Sequence, residues 1–145
     1  LADAPDFYGA VIFIDLDDLK YINDHFGHEG GDLALTHFAK VLKEYEQRYN
    51  GIAARYGGDE FILVLNAIPK ALASEIAQNL CRDLNTKIVT AAHSFSIHGS
   101  LGIAFYPTHG TKLEDLICKA DFALYTAKQE GKNQCAFFTD NNPML

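Results

Sequence analysis

The sequence predicts an α/β (α+β) fold in which a mixed central sheet is flanked by helices in the ferredoxin-like manner. Three observations predict it. Short apolar, β-branched runs recur along the chain; apolar residues at helical spacing lie between them; and the two patterns alternate as strand, helices, strand, strand, helix, strand, helix, strand. At 145 residues the chain has room for one compact domain, residues 1–145, with no internal repeat, linker or low-complexity tract.

The first run, Gly9 to Asp15 (GAVIFID), has the continuous apolar character of a central buried strand and ends on a carboxylate. Asp17 to Asp24 suits a short helix with Leu19 and Ile22 on one side, and the cluster Gly27, Gly30 and Gly31 is expected to break it. From Asp32 the residues Leu35, Phe38, Ala39 and Leu42 recur at i, i+3, i+4 and i+7, which predicts an amphipathic helix ending near Arg48 to Gly51. Ile52 to Tyr56 and Phe61 to Leu65 read as two strands joined at Gly57-Gly58, a dipeptide suited to the positive φ angles of a tight hairpin. Asp59 and Glu60 then sit beside a hairpin tip.

Pro69 suits a first helical turn, and Leu72, Ile76, Leu80 and Leu84 follow at four-residue spacing. Phe95 to Tyr106 carries strand signal interrupted by Gly99 and Gly102. Thr111 and Glu114 have capping-box spacing ahead of a third helix striped by Leu113, Leu116, Ile117, Ala120 and Leu124. Gly131 is expected to stop it, and Gln134 to Phe138 to form the last strand.

Composition narrows the function. A formal charge of -7 argues against a surface built to neutralise the phosphates of a nucleic-acid duplex, but leaves open a small phosphate ligand reached through metal ions. Cys81, Cys118 and Cys135 are odd in number and form no CxxC pair, so they read as bland thiols of a reducing compartment. No apolar run approaches the roughly 18–20 residues that span a bilayer. The opening Leu1-Ala2-Asp3-Ala4-Pro5-Asp6 lacks the basic head of a signal peptide. The domain therefore reads as cytoplasmic and free of membrane contact. Its start, close before the first strand signal, reads as an N-terminal truncation of a longer signalling protein, any sensor or membrane anchor lying outside it.

If the strand ending at Asp15 neighbours the Asp59-Glu60 hairpin, these acids converge. Close carboxylates are costly to ionise together, so such a cluster suits divalent cations, and magnesium favours carboxylates combined with substrate phosphates. Two metals would suit phosphoryl transfer. The plainer reading is that acids after strands and near glycine turns are surface punctuation, and it carries most weight for Asp17 and Asp18.

The string RYGGDEF (Arg55 to Phe61), preceded by FIDLDDLKYINDHFGHEGGD and followed by ADFALYTAKQEGKN, resembles the GGDEF family of diguanylate cyclases from about Gly9 to Phe138. The resemblance implies a nucleotide-cyclase palm-type fold and condensation of two GTP into cyclic di-GMP. It implies that Asp15, the Leu16 carbonyl, Asp59 and Glu60 hold Mg2+ or Mn2+, two ions per half-site. Asp59 or a nearby metal-bound water would serve as base, with Glu60 beside it. Lys20, Lys128 and Lys132 would contact phosphates, against the plain reading of solvated helix faces. Asn23 and Asp32 match the guanine-reading pair, and a carboxylate facing guanine N1–H and N2 fits that chemistry. Asp32 also reads as a helix N-terminal acid, and His28 as structural. The family works as a homodimer, one GTP per subunit, under an upstream sensory domain.

Two departures stand out. The family's Arg-x-x-Asp product-inhibition motif maps onto Arg48 and Gly51, so its aspartate is missing, and Arg48 also reads as a simple helix-end cation. Lys132 stands where the family usually has arginine, keeping charge without the bidentate fork. Two other readings stay open: a catalytically silent GGDEF module that binds GTP or cyclic di-GMP, and a cyclase using another base.

Overall fold

The computed structural model describes residues 7–140. Its elements are β1 (Phe7–Leu16), α1 (Leu19–Tyr49), β2 (Ile52–Arg55), β3 (Glu60–Pro69), α2 (Lys70–Leu84), β4 (Thr86–Val89), β5 (Ser94–Ile97), β6 (Gly99–Tyr106), α3 (Leu113–Gln129) and β7 (Cys135–Phe137). Five strands form the main sheet in the order β2-β3-β1-β6-β7, and β4 and β5 form a separate ribbon. The β6–β7 pair is parallel and the other neighbours in the main sheet are antiparallel, so the sheet is mixed as expected. β1-α1-β2-β3-α2-β6 reproduces the ferredoxin-like order, which α3 and β7 extend.

β1 lies at the middle of the sheet, and its alternating side chains feed two cores. Ala10, Ile12, Ile14 and Leu16 join Phe38 and Leu42 of α1 and Ile76 and Leu80 of α2 on one face. Val11 and Phe13 join Leu116, Ala120 and Leu124 of α3 on the other. Both faces of β1 are covered, which is why its sequence reads as an unbroken apolar run. α3 crosses β6 at Gly102, where a Cβ would overlap the Ala120 and Leu124 backbone. Gly102 therefore serves close packing and does not interrupt the strand.

Several expectations are corrected. α1 is continuous across Asp32; its one non-helical residue is Gly27, with φ 81°. Gly30 and Gly31 lie inside the helix, buried, because Phe95 and Asn23 pack where their side chains would be. Asp32 thus stands beyond the first turn after the kink and not at a helix start. The Gly57-Gly58 tip uses no positive φ; the positive-φ glycines among the described residues are Gly27 and Gly131. A four-residue loop from Tyr56 to Asp59 takes the place of a two-residue turn, closed by Tyr56 and Gly57 N–H groups donating to the Glu60 carbonyl at 2.8 and 3.2 Å.

Pro69 precedes α2 instead of entering it, and Leu72 is 38% exposed, the buried stripe running instead through Ala73, Ile76, Ala77, Leu80 and Leu84. α3 begins at Leu113 with no side-chain cap, so Thr111 forms no capping box, and Leu113 itself is exposed. The strand signal from Phe95 to Tyr106 divides into β5 and β6, and β5 pairs in a separate ribbon with β4, which had no counterpart in the sequence reading. Gly131, with φ 124°, does end α3. Residues 1–6, on which the reading of an absent signal peptide rests, lie outside the described residues. Among the described residues no helix is long and apolar enough to cross a membrane.

Candidate functional site

The antiparallel β1–β3 register puts Asp15 directly opposite Glu60. Paired residues share a face, so both carboxylates belong to the α3 side. The strand end is clamped to the hairpin by the Leu16 N–H, which donates to the Asp59 carbonyl at 3.0 Å. The Leu16 side chain is fully buried in the opposite core. Two pairs of residues far apart in sequence, Asp15-Leu16 and Asp59-Glu60, thus become one rim at the end of the sheet.

Asp15 is 5% exposed. Its Oδ2 accepts a hydrogen bond from Lys128 Nζ of α3. Its Oδ1 is buried and has no hydrogen-bond partner. Burial pushes the Asp15 carboxyl up to about 7; Lys128 pulls against that shift, and the neighbouring Asp59 charge adds to it. Glu60 is also raised, by burial first and then by Asp59 and Asp121, with Lys128 opposing. A buried carboxylate oxygen without a partner is a costly arrangement, and it fits a site that receives a cation. Among the described residues no three His, Cys, Asp or Glu side chains form a ready-made metal cage.

The lysines are not free point charges. Lys128 rests on Asp15, Lys132 Nζ lies 2.6 Å from Asp18 Oδ1, and Lys20 Nζ lies 3.0 Å from Asp24 Oδ2. Lys20 and Asp24 are both exposed, one helical turn apart, so that pair is weak. Lys20 sits in the first turn of α1, and no side-chain contact joins it to Asp15.

Asn23 and Asp32 lie on either side of the Gly27 kink. Asn23 Oδ1 occupies the space a Gly31 side chain would fill, which brings Asn23 against the helical turn that carries Asp32. Asp32 is exposed and opens on a cleft of about 440 Å³ lined also by Leu35, Ala39, Lys43, Arg55 and Phe61. Arg55 closes the hairpin by donating to the Gly57 and Gly58 carbonyls. His28 is exposed.

Arg48, in the last turn of α1, lies 5.1 Å over the Tyr45 ring and 5.9 Å over the Tyr49 ring. Gly51 is closed down: its N–H donates to the Glu46 carbonyl at 2.9 Å, and a Cβ would stand 2.6 Å from the Val64 carbonyl oxygen. The geometry favours the helix-end reading of Arg48.

The reading of Asp17 as surface punctuation is corrected. It is 2% exposed, accepts from Ser100 Oγ at 2.8 Å and from the Asn133 N–H at 3.1 Å, and pairs with His98 Nδ1 at 2.7 Å. It ties the end of β1 to β6 and to the loop that carries Lys132. Asp18, with φ 61°, is exposed at the start of α1.

A ferredoxin-like sheet with carboxylates where β1 meets the β2–β3 hairpin defines a palm-type nucleotide-cyclase domain. Residues 2–134 match the family model described as diguanylate cyclase, GGDEF domain, and the chain belongs to that family. It is 41% identical over 138 residues to the biofilm architecture maintenance protein MbaA of Vibrio cholerae, covering 89% of this chain and 17% of that protein. It is 33% identical over 135 residues to diguanylate cyclase A of Treponema denticola, covering 92% and 36%. The chain therefore spans well under half the length of these relatives. Among solved structures it resembles the isolated GGDEF domain of YfiN from Pseudomonas aeruginosa, with TM-score 0.86, 32% identity and coverage of 97% and 82%. It also resembles the active GGEEF domain of a diguanylate cyclase from Vibrio cholerae, with TM-score 0.82, 28% identity and coverage of 96% and 88%.

Proposed function

We propose that this domain is an active diguanylate cyclase that condenses two GTP into one cyclic di-GMP and two pyrophosphates. The observation that carries the reading is the buried Asp15 carboxylate, with one partnerless oxygen, set against the Asp59-Glu60 hairpin. Asp15, the Leu16 carbonyl, Asp59 and Glu60 would hold Mg2+ or Mn2+. Bound there, such cations stabilise the negative charge that builds on the α-phosphate.

Asp59, or a metal-bound water near it, would accept the proton of the 3′-hydroxyl as the hydroxyl oxygen attacks the α-phosphorus of the second GTP. The bond from that phosphorus to the bridging oxygen breaks and pyrophosphate leaves. Two such steps close the ring. Lys128 and Lys132 extend from the α3 end to the triphosphate, exchanging Asp15 and Asp18 for phosphate oxygens, and Lys20 does so from α1. Asp32 accepts from guanine N1–H and N2, and the Asn23 amide donates to O6. Each domain binds one GTP, so the working unit is a homodimer, and in the parent protein an upstream sensory domain sets how often two copies meet. GTP is the partner on this reading, and nucleic acid is not.

The test is incubation of the purified chain with GTP and magnesium or manganese, with chemical identification of the product, beside the Asp59→Ala variant. Cyclic di-GMP from the parent and none from a folded Asp59→Ala variant is the expected result. Cyclic di-GMP formed by the variant would overturn the assignment. Tight GTP binding with no product from a dimeric parent would favour a silent binding module.

A further inference from the structure

Apart from the acidic rim, the described residues hold a second pair of reactive side chains. Cys81 lies in the last turn of α2 and Cys135 opens β7. Each thiol shifts the proton affinity of the other, so the two are close electrostatic neighbours. Cys135 Sγ also lies 3.3 Å from the Ala77 carbonyl oxygen, one turn before Cys81, and Cys81 Sγ lies 3.7 Å from the Gly99 carbonyl oxygen at the start of β6. Both cysteines line a cleft of about 460 Å³, together with Gln78, Arg82, Asn133 and Gln134. The pair belongs to neither the carboxylate rim nor the Asp32 cleft.

We infer that Cys81 and Cys135 form an oxidisable dithiol, in which a hydroperoxide entering this cleft produces a disulfide that staples α2 to β7. Cys135 Sγ lies against the Ala77 carbonyl, one turn before Cys81, and both thiols open on the same cleft, so the step asks that two neighbouring sulfurs close to a bond of about 2.05 Å. The interaction between the two thiols holds Cys81 below the ordinary thiol range and, with burial, Cys135 above it. Cys81 is therefore the attacking sulfur. It takes one oxygen of the peroxide and becomes a sulfenic acid while the O–O bond breaks, and the other oxygen leaves as water. The Cys135 sulfur then attacks that of Cys81, the S–O bond breaks, and a second water leaves. In sum two thiols and one hydrogen peroxide give one disulfide and two waters; sulfur is oxidised and peroxide oxygen reduced.

The disulfide has a defined reach. Asn133, two residues before Cys135, donates its backbone N–H to Asp17 Oδ2 and to Ser100 Oγ, so the staple lies next to the loop that carries Lys132. This inference does not depend on the cyclase reading.

The test treats the fully reduced chain with hydrogen peroxide, counts free thiols, and maps cross-linked peptides by mass spectrometry. The expected result is a fall from three free thiols to one, a Cys81–Cys135 peptide, and recovery of three on reduction, with exposed Cys118 as the thiol that remains. In the Cys135→Ser variant Cys81 is expected to stop at a sulfenic acid trapped by a dimedone probe. In the Cys118→Ser variant the cross-link forms unchanged. The inference is overturned by cross-links that involve Cys118, by Cys81 and Cys135 oxidising to sulfinic acids without a cross-link, or by both thiols persisting.

Discussion

Asp15 stands directly opposite Glu60 across the β1–β3 pair, and Lys128 of α3 closes onto Asp15 from above. The strand register decides this arrangement. A slip of one residue would turn Asp15 into the opposite core and bring Ile14 or Leu16 to the rim. The apolar residues on both faces of β1 forbid that slip, so the core and the site are specified by the same alternation.

A carboxylate held this way costs stability. Asp15→Asn keeps the shape and removes the buried charge, so in the presence of a chelator the variant is expected to be more stable by roughly 1–2 kcal/mol, a rise of a few degrees in melting temperature. Turnover is expected to vanish. Thermal melts with and without EDTA, beside a turnover assay, check both; a loss of stability would show that Asp15 is held for folding.

Gly31 sets the position of Asn23. In Gly31→Ala the new methyl group displaces the Asn23 amide. GTP affinity is expected to fall about tenfold, or about 1.4 kcal/mol. Titration with a non-hydrolysable GTP analogue measures this, and unchanged affinity would remove Asn23 from the guanine site.

Restoring an acid at position 51 is not expected to restore product inhibition. The backbone there has closed against Val64, so Gly51→Asp must push β2 away from β3 and is expected to destabilise the chain by about 1–3 kcal/mol. Melting curves and turnover at rising cyclic di-GMP check this. A stable variant with new inhibition would show that the side chain alone was missing.

His109 makes the fold sensitive to mild acid. It is 7% exposed, its Nδ1 accepts the Phe105 N–H at 2.8 Å, and burial holds its pKa below the ordinary value. Asp140 opposes that shift, while Lys70 and Lys119 add to it. The unfolded chain takes up the proton first, near pH 6.5. This contribution to stability is therefore whole above about pH 6.5 and declines as pH falls toward the lower folded-state pKa. Denaturant midpoints between about pH 5 and 7 are expected to show this slope, and His109→Asn to flatten it.

Much of the fold was legible because it rests on local pattern. β1 announces itself by an unbroken apolar run and α1 by its period, and the hairpin by two runs around Gly57-Gly58. The misplaced details are those that neighbours decide. Gly30 and Gly31 look like helix breakers, yet Phe95 and Asn23 make them helix residues. β4 and β5 are short and partly exposed, so their alternation barely rises above that of a loop.

The sequence by itself determined the family, the burial of β1, and the motif acids Asp15, Asp59 and Glu60 as the candidate set, because motif spacing and residue period are properties of the chain alone. Only the tertiary structure decided which of them meet. The β1–β3 adjacency that sets Asp15 against Glu60, the Lys128 contact across 113 positions, the burial of Asp17 and the meeting of Cys81 and Cys135 at one cleft all follow from sheet order and helix docking. Local periodicity shows which face of an element is apolar; it does not encode which element lies beside it.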